Sequence, residues 1–168
     1  MKIGKTLRAK LQKIRCVATD VDGVLTDGHI YHAGENTWRR SFFIRDGMGL
    51  LLLREKGYKT AFITSSRSED IRKRAENLQI DFFYDAASDK AESFKDLCKR
   101  GGFKPHEVLY IGDDVIDLPI FNLCDVAAAP CDAHPEVLKS ATLVTKSSGG
   151  RGCVREICDA ILKFGKLR

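Results

Sequence analysis

Cys16-Val-Ala-Thr-Asp-Val-Asp-Gly23 is an apolar run of strand length that stops abruptly at two carboxylates and a glycine. A short apolar run without alternation reads as a strand covered on both faces, the usual state of a parallel sheet. The same pattern recurs downstream. Thr60–Ile63 runs into Thr64-Ser-Ser66, Phe82–Tyr84 is followed by a helix opening at Lys90, and Val108–Ile111 runs into Gly112-Asp-Asp114. Helical patterns separate these strands, over Asp46–Lys56, Ser68–Leu78 and Lys90–Arg100. Asp46 is placed to N-cap the first of them and Gly57 to stop it. The alternation continues with a helix at Leu118–Leu123, a strand at Val126–Ala128, a helix at His134–Ser140, a strand at Thr142–Val144 and a helix at Val154–Phe164. A basic amphipathic helix over Ile3–Lys13 precedes the first strand, and Ile30–Tyr31 with Trp38–Ile44 form a hairpin across Ala33-Gly-Glu-Asn. The expected fold is therefore α/β: one doubly wound, Rossmann-like parallel sheet over residues 1–168, with a hairpin insertion and no separate cap domain.

Composition narrows the function classes. The chain has 168 residues, 43% hydrophobic and 30% charged, which suits an ordinary globular domain with its own core. No apolar run approaches the roughly 18–20 residues of a membrane span, Met48–Leu53 being the longest candidate. The charged N-terminus lacks a following apolar stretch, so no secretory signal is expected and the cytoplasm is the default. The net charge of +5 is concentrated toward Lys2–Arg15 and Lys163–Arg168, without interleaved aromatics or a nucleic-acid motif. No nucleic-acid partner and no membrane partner are expected. The 6 cysteines, Cys16, Cys98, Cys124, Cys131, Cys153 and Cys158, are scattered and mostly inside apolar patterns, so free, mostly buried thiols are expected rather than zinc ligands or a disulfide framework.

In a doubly wound sheet, ligands bind beyond the carboxyl ends of the strands. The groups arriving there are Asp20 and Asp22, then Thr64 and Ser65, then Lys90, then Asp113 and Asp114 with Asp117 just beyond. So many carboxylates in one crevice require a cation, and hard oxygen donors without His or Cys suit Mg²⁺ rather than zinc. A hydroxyl and an ammonium opposite the metal would hold phosphoryl oxygens. Two carboxylates two residues apart can divide the labour of nucleophile and acid/base. This is the donor set of a phosphoryl-transfer site.

Asp20-Val-Asp-Gly-Val-Leu-Thr-Asp27, Thr64, Lys90 and Gly112-Asp-Asp-Val-Ile-Asp117 resemble, in order, the four motifs of the haloacid dehalogenase superfamily. The resemblance implies that Asp20 is phosphorylated and that Asp22 is general acid, then general base. It implies Mg²⁺ held by the Asp20 carboxylate, the Asp22 backbone carbonyl and Asp113, with Thr64 and Lys90 on the phosphoryl group. Asp114 and Asp117 would act behind these ligands, Asp117 steering metal-bound water. Arg45-Asp-Gly47, Asp132-Ala-His-Pro135 and Gly149-Gly-Arg-Gly-Cys-Val-Arg-Glu156 further resemble the 3-deoxy-D-manno-octulosonate 8-phosphate phosphatases within that superfamily, from about Arg15 to the last helix. That resemblance implies an acidic eight-carbon sugar phosphate, lipopolysaccharide biosynthesis and a homotetramer. It adds Asp22, Arg45, Asp46, Gly47, Ser65, Arg74 and Lys90 as substrate contacts. With no cap, a neighbouring subunit would cover the site, and Tyr31, Trp38, Phe42 and Phe43 on the hairpin form a candidate contact surface; packing on their own domain is the alternative. Gly149–Arg151 reads either as a turn entering the last helix or, by resemblance, as a segment closing near the phosphate.

Leu51 and Ser66 depart from the family pattern, which has a basic residue and an arginine there; Ser65 replaces a glycine, and Arg67 lies one place late. These departures bear on substrate choice rather than on chemistry. A nine-carbon sugar-acid phosphate is the alternative substrate. Two other classes compete. A calcium loop of the EF-hand type is excluded by Leu25 and Tyr31 where Gly and Glu are required. A phospho-signalling receiver domain shares Asp, Thr and Lys around Mg²⁺ but would carry its phosphoacceptor after the third strand.

Overall fold

The computed structural model describes residues 3–34 and 37–167; Glu35 and Asn36, within the expected hairpin turn, lie outside the described residues. The chain opens with α1 (Lys5–Leu11) and then enters β1 (Cys16–Thr19), all four of whose residues are buried. Successive residues of β1 point to opposite faces, and both faces are apolar. Val17 joins Phe62, Leu109 and Ile111 on one side, while Ala18 joins Ala61, Ile63 and Tyr110 on the other. This explains why the run shows no polar alternation.

β4 (Lys59–Ile63), β5 (Phe82–Tyr84), β6 (Val108–Ile111), β7 (Val126–Ala129) and β8 (Leu143–Val144) complete a parallel sheet of 6 strands in the order β5-β4-β1-β6-β7-β8. β1 lies in register between β4 and β6, with Thr19 opposite both Phe62 and Ile111. The strand order reverses at β1, so Asp20 stands at the position where a doubly wound sheet ordinarily binds its ligand. One face is covered by α2 (Ile44–Glu55), α3 (Glu69–Asn77) and α7 (Cys153–Phe164), the other by α4 (Lys90–Gly101), α5 (Leu118–Phe121) and α6 (Pro135–Ser140). α2 and α7 pack closely because Gly49 presents no side chain: a Cβ there would lie 3.0 Å from that of Cys158. Cys16, Cys98, Cys124, Cys153 and Cys158 are buried free thiols and Cys131 is an exposed one, in line with expectation.

The small antiparallel hairpin is shorter than its apolar pattern suggests. It pairs β2 (Tyr31–His32) with β3 (Trp38–Arg39) and ends there rather than at Ile44. Phe42 leaves the ladder to pack on the core, and Ile44 already begins α2. Asp46 consequently lies inside the first turn of α2; the N-cap position is Phe43, whose side chain makes no capping bond. No helix among the described residues is long and apolar enough to cross a membrane.

Candidate active site

Parallel strands deliver their carboxyl ends to one edge, and the chemistry-bearing residues follow directly. Asp20 succeeds β1, Thr64 succeeds β4, and Gly112-Asp113 succeeds β6. Lys90 is the first residue of α4, a helix capped by the Asp89 carboxylate accepting from Glu92 N–H at 3.0 Å. Gly23, with φ +76°, lets the chain turn away from Asp22. A Cβ at Gly23 would fall 2.0 Å from Asp113 Oδ2, so only glycine allows the two motif loops to meet.

At the centre Lys90 Nζ donates to Asp20 Oδ2 at 2.6 Å and to Asp117 Oδ1 at 2.7 Å, with the lysine side chain only 2% exposed. Asp20 Oδ1 accepts from Val21 N–H at 2.6 Å. Asp117 is saturated: Oδ1 also accepts from the Tyr110 hydroxyl at 2.7 Å, and Oδ2 accepts from Asp113 N–H at 3.0 Å and Asp114 N–H at 3.2 Å. A carboxylate has about four acceptor sites. Asp117 therefore has none to spare, and it acts as the strut that aims Lys90 and the Asp113 loop.

Asp20, Asp113 and Asp117 bring carboxylate oxygens within 4.8 Å of one another. Burial, opposed by Lys90 and reinforced by Asp117, pushes the Asp20 carboxyl up to about 7. Burial together with Asp20 and Asp117 pushes Asp113 up to about 8. One ammonium does not offset three carboxylates, and Asp113 Oδ1 is buried without a hydrogen-bond partner. An orphaned carboxylate oxygen beside a second carboxylate fits a hard divalent cation such as Mg²⁺. Asp20 and Asp113 are the side chains with capacity left to hold it. Asp114 points elsewhere, its exposed carboxylate accepting from Val115 N–H at 2.7 Å.

The remaining sequence candidates divide. Thr64 is buried and its Oγ1 accepts from Ser66 N–H at 3.1 Å. Ser65 turns its hydroxyl to the Ala87 carbonyl at 3.0 Å. Arg45 is exposed and stacks over Phe43, while Arg74 stacks over Phe42 and lies against Gly47, where a Cβ would approach Arg74 Nη2 to 2.3 Å. Neither arginine bonds to a crevice carboxylate. Asp46 does not cap its own helix: it is fully buried, and its carboxylate serves another one. Its oxygens accept from Gly152 N–H at 3.1 Å and Arg155 N–H at 2.7 Å, at the start of α7. Burial raises its carboxyl and those amides oppose the rise. The α7 N-cap is Gly152, which has no side chain to do this. Asp46→Ala should therefore cost about 1–3 kcal/mol, a Tm loss of roughly 2–12 °C. A substrate contact would instead give raised KM at unchanged Tm, so a thermal melt beside a KM measurement decides.

The Gly149–Gly152 stretch is docked, not loose. Gly149 N–H donates to Asp132 Oδ1 at 2.9 Å and Gly150 N–H to the Val24 carbonyl at 2.9 Å. A Cβ at Gly149 would meet the Gly23 carbonyl oxygen at 1.9 Å. The segment thus buttresses the loop that carries Asp20 and Asp22.

Sequence reasoning missed Arg40 and Tyr110. Arg40 Nε donates to Asp22 Oδ1 at 2.5 Å and Nη2 to Asp22 Oδ2 at 3.1 Å, while the Ser66 hydroxyl donates to the same Oδ2 at 2.7 Å. Tyr110 sits inside an apolar strand and reads as core; only its hydroxyl marks it.

A family model described as haloacid dehalogenase-like hydrolase matches residues 80–157. The chain is 37% identical over 166 residues to 3-deoxy-D-manno-octulosonate 8-phosphate phosphatase KdsC of Escherichia coli (strain B / BL21-DE3), covering 98% of this chain and 88% of the relative. The crystal structure of the phosphatase of that name from Yersinia pestis superposes with a TM-score of 0.93 at 37% identity, covering 96% of this chain and 87% of that one. The Moraxella catarrhalis phosphatase of the same name, solved with magnesium ion, phosphate ion and a KDO molecule, superposes with a TM-score of 0.93 at 31% identity, covering 97% and 94%.

Proposed function

The chain belongs to the haloacid dehalogenase-like hydrolases, and from that premise we propose that it is a Mg²⁺-dependent phosphatase of an acidic sugar phosphate, 3-deoxy-D-manno-octulosonate 8-phosphate. The observation that carries the reading is the buried Asp20–Lys90–Asp117 chain beside the unpartnered Asp113 Oδ1. Asp20 attacks phosphorus, the bond to the sugar oxygen breaks, and Asp22 gives that oxygen its proton. Water then attacks the aspartyl phosphate, Asp22 takes a proton from it, and Asp20 is released with inorganic phosphate. An ammonium has three donors and Lys90 uses two on Asp20 and Asp117, so the third is free for a phosphoryl oxygen. Thr64 stands at the adjacent strand end as a second phosphoryl contact. Mg²⁺, held by Asp20, Asp113 and the Asp22 carbonyl, supplies neutralisation of the phosphate charge.

The substrate reading is supported by relatives of that name along nearly the whole chain. A panel of sugar phosphates assayed for phosphate release should give the highest kcat/KM with the eight-carbon acid ester, and excess chelator should abolish turnover. Preference for a nine-carbon or neutral ester would overturn the substrate, and full activity in chelator would overturn the mechanism.

A homotetramer completes the reading. Tyr31, Trp38, Ile44 and Met48 are 52%, 50%, 78% and 46% exposed on the hairpin and the start of α2, an apolar surface suited to burial against another copy. Phe42 and Phe43 are partly buried on their own domain and contribute less. Light scattering should report four chains; an active monomer would remove this element. Localisation in the cytoplasm follows from the same reading.

A further inference from the structure

Arg40 is a buried guanidinium that the proposed reaction leaves without a part. It lies just beyond β3, on a hairpin whose aromatic side chains face solvent, yet its own side chain is 7% exposed. Besides the fork on Asp22, Nη2 donates to Ser66 Oγ at 3.2 Å, and Nη1 donates to Ser68 Oγ at 3.1 Å and to Asp70 Oδ1 at 3.2 Å. Every polar atom of the guanidinium has a partner, but the partners differ in kind. Ser68 and Asp70 stand at the start of α3, away from the reacting carboxylates, and hold Nη1 as a pivot. The Nε and Nη2 edge is spent on the carboxylate that must exchange a proton with the leaving oxygen.

A fork seated on both Asp22 oxygens competes with that exchange, because the edge a leaving oxygen must approach is taken by two N–H groups. Asp22 is nevertheless 32% exposed, so a ligand arriving from solvent meets Asp22 and Arg40 together. Guanidinium binds any planar carboxylate in the same two-point manner. An anion on the substrate can therefore replace Asp22 on this edge while Nη1 stays anchored. Among the described arginines near the crevice, Arg45 and Arg74 stack on phenylalanine rings and make no such contact.

We propose that Arg40 is a specificity-determining residue: a carboxylate on the leaving group draws the Nε–Nη2 edge off Asp22 and frees that side chain for the leaving oxygen, whereas a neutral leaving group leaves it clamped. The proposal rests on the reading of the protein as a phosphatase of an acidic sugar phosphate. It makes substrate charge, rather than substrate size alone, the signal that completes the site.

The test compares 3-deoxy-D-manno-octulosonate 8-phosphate with a neutral hexose 6-phosphate at saturating Mg²⁺, in the wild-type protein and in Arg40→Gln and Arg40→Lys. The ratio of kcat/KM for acidic over neutral ester should fall by about tenfold or more in Arg40→Gln, mostly through KM for the acidic ester. Arg40→Lys, which keeps the charge and loses the fork, should fall between. Inhibition of neutral-ester hydrolysis by the free sugar acid should weaken in parallel, and circular dichroism would confirm that the variants are folded. Equal losses on both esters, chiefly in kcat, would show that Arg40 merely holds Asp22 in place and overturn the proposal. So would an unchanged ratio. A wild-type protein without preference for the acidic ester would defeat the substrate reading instead, whereas a wild-type preference that survives in Arg40→Gln would defeat the role of Arg40.

Discussion

Asp20→Asn should lower Mg²⁺-dependent phosphate release by on the order of 10⁴–10⁶-fold, the scale on which nucleophile removal acts elsewhere. An amide keeps the shape of the carboxylate but does not attack phosphorus. Its effect on stability should be small, because two consequences oppose each other. Both partners of the Asp20 carboxylate are donors, Val21 N–H and Lys90 Nζ, so the amide NH₂ faces a donor whichever way it is turned. At the same time one of three clustered negative charges disappears, and with it the part that Asp20 adds to burial in pushing Asp113 up to about 8. A multi-turnover phosphate assay with a thermal melt on the same preparation reads both. Sustained turnover by the folded Asp20→Asn protein would show that another group forms the bond to phosphorus.

That experiment targets the part of the site most legible in the sequence. Asp20, Thr64 and Asp113 are each the first polar residue after an apolar run or lie within two residues of it. In a parallel sheet such positions share one edge whatever the rest of the chain does. Their arrival at one edge needs only parallel strands, which the alternation of strands and helices implies, while the strand order that makes them neighbours is seen only in the fold. Lys90 and Asp117 follow because a helix start and a short turn fix them relative to the same edge. What stayed hidden depends on contacts between distant segments. Asp46 has the right type and place to cap α2, and the local rule is reasonable; α7 outcompetes it by offering two free amides to the same carboxylate. Arg40 falls inside the run Trp38–Ile44 that the sequence assigns to one strand, whereas the ladder ends at Arg39. Once the chain leaves the ladder, Arg40 turns inward and meets Ser66, the position where the motif lacks its arginine. Residue type alone carries no signal for that meeting.

Lys90→Met should have the second large effect, and on stability as well as on turnover. Burial alone would push the Lys90 ammonium down, but Asp20 and Asp117 outweigh it and hold it charged. Its side chain is 2% exposed, with Asp20 at 7% and Asp117 at 0%, so the pair of ion pairs is shielded from solvent. Burying such charges contributes little net stability while they are paired, yet removing one partner leaves the others uncompensated at a cost of about 3–5 kcal/mol. For a chain of this size that corresponds to a Tm loss of roughly 6–20 °C. Methionine fills a similar volume, so a cavity would not be the cause. The electrostatic origin has its own check in a double-mutant cycle. Adding Asp20→Asn to Lys90→Met removes one of the stranded carboxylates and should restore part of the Tm while restoring no turnover. If the two losses simply add, Lys90 stabilises the fold through packing, and the buried charge chain is not what holds Asp20 and Asp117 together.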